Sequence, residues 1–484
     1  MLAFGIAFIT AAVGISLLGT IGGSGPTQDP SPTLATGAGR SNPATSEPSP
    51  TSDSRPPGPS GSPEPRPSPT PGPALVPGTV NRTSIELVAT YDVDVDLEFD
   101  RGRLAVAATL TVTNESGGGI DRVELNTITG PLGDLRLRSV VVEDRAVDAR
   151  VDDQTIVVPL GGVLPDGATI TLEVDLRARL PRTLSGSNWL FTKVGGIVQA
   201  SRWLPWVGLH RPFERPNHGD PFFTAFSPRV VVRITTDRPL VIAAPGRQTS
   251  VDGLTQTFEA SNVRDFPIVA SPSFSIRERR AGDWTVRAFA LADFPTATVL
   301  DQAADALERM SELAGDYAYP TLVVAQTAGG YALEGPGMIW IPTGFSGSTL
   351  RWNVYHEIAH QWFYGMVGSD HALDPFADEA VATHLGQVVS GIWRTTSCRE
   401  RRLDLSIYRY SSACYFGQIY VHGAELLQQV RRTIGSRTYW RAIRAYVSDH
   451  LFALVSTPEL LETLQAQAGV DLSPILAPRF PSLY

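Results

Sequence analysis

The residues with the most chemistry in this sequence are His356-Glu357-Ile358-Ala359-His360 and, with eighteen residues between, Glu379. Side chains four apart on a helix stand on one face, so His356 and His360 can present two imidazoles to one metal ion. Imidazole nitrogens suit zinc, and a catalytic zinc keeps three protein ligands with one position open. The pattern therefore needs a third ligand. A metzincin would carry Gly three residues and His six residues after the second His, where this chain has Phe363 and Met366. Glu379 is the remaining candidate. Gly368 to Leu373 reads as a loop, and Asp374-Pro375 as the N-cap and first-turn proline of a second helix that runs through Glu379 to Val389. Asp374 is expected to cap that helix rather than to orient a histidine. The bare five-residue pattern also arises on ordinary amphipathic helices; a second helix with an early Glu sets this one apart.

The elements that must position these groups fall into two regions. From Ile85 to about Ile276 short apolar runs alternate with turn residues: Tyr91 to Phe99, Leu104 to Val112, Val140 to Val142, Thr155 to Val158, Ala168 to Val174 and Val230 to Ile234. This spacing predicts a sheet-rich domain, taken as residues 83–277. An aromatic stretch from Trp189 to Phe223 inside it is read as core or interdomain packing. Residues 278–484 are mixed. Thr296 to Ala314 has a helical period, Thr321 to Gln326 and Gly337 to Pro342 read as strands, and helices follow the metal motif, clearest at Tyr420 to Ile434 and Thr438 to Asp449. The fold class is α+β and multidomain.

The start of the chain differs from all of this. Leu2 to Ile21 carries no charge and is long enough to span a bilayer, so residues 1–22 are expected to be a transmembrane or signal-anchor segment. Residues 23–82 are expected to be a disordered Pro, Ser and Thr-rich linker, since 16 of the 38 prolines lie between Ser24 and Gly78 and no aromatic residue does. These features imply a membrane-anchored or secreted protein with its folded part outside the cytoplasm. A formal charge of -9 without a basic block argues against nucleic acid as a partner. Cys398 and Cys414 lack the spacing of a zinc or redox motif, and in an exported chain they are expected to form a structural disulfide.

Three motifs in order resemble the aminopeptidase N family of zinc gluzincin peptidases. His356-Glu357-Ile358-Ala359-His360-Gln361-Trp362-Phe363 with Glu379 is similar to its zinc signature. Tyr331-Ala332-Leu333-Glu334-Gly335 resembles its Gly-x-Met-Glu-Asn exopeptidase motif, and Tyr420-Val421-His422-Gly423-Ala424 its Tyr-x-Lys-Gly-Ala segment. Asn262-Val263-Arg264-Asp265-Phe266 looks like the end of its N-terminal saddle-shaped β domain. The resemblance implies an N-terminal antiparallel β saddle-like domain, then a thermolysin-like catalytic domain that ends in helices. The chain departs from the pattern at Tyr331, Leu333 and Gly335, at His422, and at Asp378-Glu379-Ala380, which stands for Asn-Glu-Gly. No counterpart of the family's large C-terminal helical domain is expected among these residues.

What the resemblance implies chemically is one zinc per chain held by His356, His360 and Glu379, and hydrolysis of peptides. Glu357, next to a ligand but not one itself, suits the general base. Tyr420 would donate to the oxyanion formed on attack, and Glu334 would pair with the free α-ammonium of the substrate, making the enzyme an aminopeptidase. Gln199 could also reach that amine but is not assigned to it. His371, His384, His422 and His450 are expected to be solvated or packed. Two other readings stay open: an open-cleft zinc endopeptidase, and a catalytically relaxed surface module that binds without cutting.

Overall fold

The computed structural model describes residues 74–213, 219–411 and 413–484. The expected anchor, and the linker up to residue 73, lie outside these. Residues 74–82, read from composition as the end of the linker, are instead pinned to the fold. Val76 exchanges two backbone hydrogen bonds with Val163, and the Asp121 carboxylate accepts the N–H groups of Val80, Asn81 and Arg82 at 2.6–3.0 Å. A proline-rich composition disfavours helix and sheet interior, but it does not prevent one carboxylate from fixing three consecutive donors.

The long strands follow from strict alternation. Along Leu87–Glu98 the side chains of Tyr91, Val93, Val95 and Leu97 are buried, while Asp92, Asp94 and Asp96 face outward. Asp92 and Asp94 there engage Arg233 on the neighbouring strand Val230–Thr236. These strands belong to an eight-stranded sheet that is antiparallel except where Leu87–Glu98 runs parallel to Val230–Thr236. A five-stranded sheet built on Ile120–Asn126 and Thr155–Leu164 shares its core, and a four-stranded sheet includes Ile197–Ala200 and Ile268–Ser271. Trp203 and Trp206 from the aromatic stretch are buried in that core, the latter stacked on Tyr91 at 4.4 Å.

A further five-stranded sheet starts at Ser275. Its three central strands, Trp284–Ala290, Thr321–Thr327 and Met338–Pro342, run parallel, and Ser275–Ala281 and Leu333–Gly335 close the two edges antiparallel. Helix Thr296–Ala314 makes the crossover between the first two parallel strands and buries Val299, Leu300, Ala303, Leu307 and Met310. The metal helix, Gly347–Ala359, follows the last strand, and the rest of the chain is mainly helical.

The seam between the β-rich region and this second sheet is polar and buried. Arg211 grips Asp370 at 2.6 Å, and the Tyr319 hydroxyl lies between the carbonyls of Asn262 and Gly365. Gln199 spends its amide here: Nε2 donates to the carbonyls of Trp189 and Gly329, and Oε1 accepts the Ala328 N–H at 2.8 Å. Replacing Gln199 by Leu takes this partner from three part-buried groups, at a cost of up to about 1–3 kcal/mol for each. Gln199→Leu is therefore expected to lower the thermal midpoint measurably, and a midpoint equal to that of the parent chain would contradict this account of the seam.

Candidate metal centre

Two helical segments bring the ligands together. His356 lies in the last turn of the metal helix and His360 at its C-terminal boundary, still in helical backbone conformation. Glu379 lies in a π-helical turn, Phe376–Ala380, that leads into helix Val381–Ser390. The two His Nε2 atoms are 3.2 Å apart, and Glu379 Oε2 is 3.3 Å from one and 3.2 Å from the other. Three atoms bound tetrahedrally at zinc distances of about 2.0–2.1 Å would be about 3.3 Å apart. Glu379 Oε2 is moreover buried and accepts no hydrogen bond. Two imidazole nitrogens, one carboxylate oxygen and an unsatisfied buried acceptor fit a zinc ion.

The charges agree with this donor set. Burial alone would push the Glu379 carboxyl up, but the imidazoles of His360 and His356 outweigh it and hold the group at about 2. Burial pushes His356 down, towards the neutral ring a ligand must be. His360 goes the other way: burial is outweighed by Asp378 and Glu379, which favour the imidazolium. A dication at this place takes over the charge that the second proton of His360 would carry. The rings are held from outside as well. Trp352, one turn earlier, stacks on His356 at 4.8 Å, and the Thr383 hydroxyl is 3.3 Å from His356 Nδ1.

Glu334 and Glu357 each place a carboxylate oxygen near His360, all three groups lying within 4.8 Å of one another. Burial pushes both carboxyls up, Glu334 to about 7, with His360 opposing. Glu334 sits on the edge strand Leu333–Gly335, which Gln361 ties to the end of the metal helix by donating to the Gly335 carbonyl at 3.0 Å and accepting the Gly337 N–H at 2.9 Å. The Tyr420 hydroxyl donates to Glu379 Oε1 at 2.5 Å. All six residues singled out by motif therefore meet in one place.

No family model matches the chain. An M1 zinc metallopeptidase from Deinococcus radiodurans superposes with a TM-score of 0.64 at 21% identity, over 81% of this chain and 93% of that one. A mutant of it bound to a Tyr-Ser-Ala substrate gives the same values. The structure of a two-domain M1 zinc metallopeptidase mutant bound to L-arginine gives 0.63 at 21%, with the same coverage. The chain has the M1 zinc metallopeptidase fold. Among curated sequences, an aminopeptidase N of Streptomyces lividans is 24% identical over an alignment covering 32% of this chain, which spans only 23% of that relative's length.

Within the M1 fold, two glycines set how closely the site's helices approach. A Cβ on Gly386 would lie 3.2–3.3 Å from the backbone of Tyr355 and His356, and one on Gly423 would lie 2.5 Å from the Ala380 side chain. Gly386 thus lets the Glu379 helix press onto the metal helix, and Gly423 lets the Tyr420 segment press onto Glu379. That segment is a second π-helical stretch, Gly417–His422, leading into helix Gly423–Ile434. Against it packs an irregular stretch, residues 391–411, which the Cys398–Cys414 disulfide ties to the turn that leads into this segment. His422 Nε2 meets the Cys398 carbonyl at 3.0 Å, and Gln418 donates to the Arg402 carbonyl.

Two assignments change. Asp374 does not cap the helix of Glu379; its carboxylate takes the N–H and hydroxyl of Thr457 at the start of helix Thr457–Ala468. The carboxylate that orients a histidine is Asp378, whose Oδ1 is 2.8 Å from His360 Nδ1. His371 is not a bland packed histidine either, since its Nδ1 lies 2.5 Å from Asp378 Oδ2. The adjacency of Asp378 to Glu379 was the available signal for the first; nothing local signals the second. His384 is packed as expected, stacked on Trp440 and bonded to Gln428 and Tyr439.

Gly423→Ala should displace Tyr420 from Glu379 because the new methyl meets Ala380 before the helices can close. The expected outcome is a folded, metal-loaded protein with turnover lowered in the direction of Tyr420→Phe; wild-type turnover would show that the Tyr420 segment tolerates the shift.

Proposed function

We propose that this chain is a zinc-dependent metallopeptidase, an aminopeptidase that removes N-terminal residues from peptides. The observation that carries the reading is the convergence of His356, His360 and Glu379 with the Glu334 and Glu357 carboxylates and the Tyr420 phenol. A bound zinc supplies an electrophile that polarises the scissile carbonyl and acidifies water. The chain's own groups supply the rest. Glu357, raised by burial, accepts a proton at its carboxylate from the attacking water and returns it to the leaving amine. Burial and the neighbouring Glu379 carboxylate keep the Tyr420 phenol protonated, so the hydrogen it gives to Glu379 Oε1 can be redirected to a developing oxyanion. Glu334 presents a carboxylate that a free α-ammonium would hold in its ionised form, which measures one residue from the peptide's start.

The peptide and amino acid in the M1 relatives support this substrate class. We also place the folded part outside the cytoplasm, held to a membrane or released from it. The support is the uncharged run Leu2 to Ile21 and a disulfide, which persists in oxidising compartments. Among the described residues no helix is long and apolar enough to cross a membrane.

Comparison of unblocked with N-acetylated peptides tests exopeptidase action. Wild type should cleave only the unblocked set, and Glu334→Ala should lose most of that discrimination; equal cleavage of both sets by the wild type would make it an endopeptidase. Glu357→Ala should keep zinc and lose turnover by orders of magnitude. If peptide binding persists but no wild-type turnover is seen in a broad library, the protein is a binding module instead. Tyr420→Phe is expected to lower kcat by about 10²-fold or more with a smaller change in KM, and an unchanged kcat removes Tyr420 from the mechanism.

A further inference from the structure

Behind His360 a line of buried polar groups runs out of the metal centre and into the β-rich region. His360 Nδ1 is 2.8 Å from Asp378 Oδ1 and 3.0 Å from the Phe363 carbonyl. His371 Nδ1 is 2.5 Å from Asp378 Oδ2, a close ion-pair contact outside hydrogen-bond geometry, and neither atom has a hydrogen-bond partner among the described residues. His371 Nε2 is 3.2 Å from Arg264 Nη1, whose neighbour Nη2 donates to the Ser369 carbonyl at 3.2 Å. Arg264 is 0% exposed and lies against the rings of Tyr364 and Phe226.

Only one arrangement of protons avoids a clash of donors along this line. A guanidinium has donors and no acceptor, so His371 Nε2 must accept and His371 Nδ1 must carry the hydrogen. That hydrogen sits on the nitrogen 2.5 Å from Asp378 Oδ2, so this oxygen must present lone pairs and not a second hydrogen. The Phe363 carbonyl can only accept, so His360 carries its hydrogen on Nδ1 and leaves Nε2 free to face the metal position. A residue at 378 must therefore accept on both sides, which a carboxylate can do and an amide cannot.

We propose that Arg264 and His371 are positioning residues for the metal centre, fixing from the β-rich region the acceptor state of Asp378 and through it the metal-facing nitrogen of His360. The line also explains why Asp stands where the family pattern noted above has Asn. An Asn at 378 could still accept from His360, but its amide N–H would then face His371 Nδ1. His371 would have to move its hydrogen to Nε2, pointing it at a donor of Arg264. With Arg264 in place, Asn is the wrong partner; without it, Asn is tolerated.

This inference rests on the zinc reading, and one experiment separates the two. Zinc affinity is measured by competition with a chromophoric chelator, and folding by circular dichroism and thermal midpoint, for wild type, Arg264→Met, Asp378→Asn and the double variant. Wild type should hold about one zinc; if it holds none, the zinc reading fails. Given zinc, Arg264→Met and Asp378→Asn should each weaken binding, by roughly 10–100-fold as for other partners of metal ligands. The double variant should then bind zinc more tightly than Asp378→Asn alone. A merely structural Arg264 would weaken both backgrounds alike, and that result, or no effect of Arg264→Met on zinc affinity, overturns the proposal. Arg264→Lys, which keeps a donor that cannot accept, should restore most of the affinity lost in Arg264→Met. Should Arg264→Met not fold, His371→Leu tests the same coupling. Without the imidazole the penalty of Asp378→Asn should shrink several-fold, and an unchanged penalty refutes the line.

Discussion

The burial of one carboxylate, Glu379, between two imidazoles is the constraint on which the rest of this structure depends. A carboxylate out of water is costly unless paired, and here the pairing comes from His356 and His360 on one side and the Tyr420 hydroxyl on the other. That requires three helical segments to meet more closely than ordinary side chains permit. Gly386 and Gly423 are the places where the approach is made, and the π-helical turns carrying Glu379 and Tyr420 aim the two side chains at one another.

The same constraint explains the character of the seam. A group of charges assembled at the edge of the second sheet needs partners that the sheet itself does not supply. Arg202, Arg211 and Arg264 reach in from the β-rich region, and Tyr364 is flanked by two of their guanidinium groups, at 5.2 and 5.1 Å. The β-rich region is thus more than a platform beside the second sheet; its guanidinium groups pack against Tyr364 and pair with Asp370 behind the metal helix.

What could be read from the chain follows from range in sequence. His356, His360 and Glu357 were legible because four-residue spacing on a helix is geometry, and Glu379 because a loop, a proline and a second helix leave one way back. The long strands announced themselves by period, as in Tyr91 to Leu97. The partner of Asp374 was not legible because capping rules look a few residues ahead, whereas Thr457 arrives from 83 positions away. His371 was missed for the same reason, its second partner Arg264 being 107 positions distant and in the other region. Gln199 kept an open role until the structure showed both ends of its amide engaged by Trp189 and Ala328.

The Cys398–Cys414 bond has a wider meaning than local stability. It ties down a stretch without regular secondary structure, and linking residues 16 apart removes about 3 kcal/mol of disorder from the unfolded chain by loop entropy. That stretch is what the Tyr420 segment leans on, and through Arg394 over the Trp352 ring it also reaches the metal helix. Redox history thereby becomes a property of the folded site. Chains folded with and without oxidised cysteines would differ in how firmly the phenol is aimed.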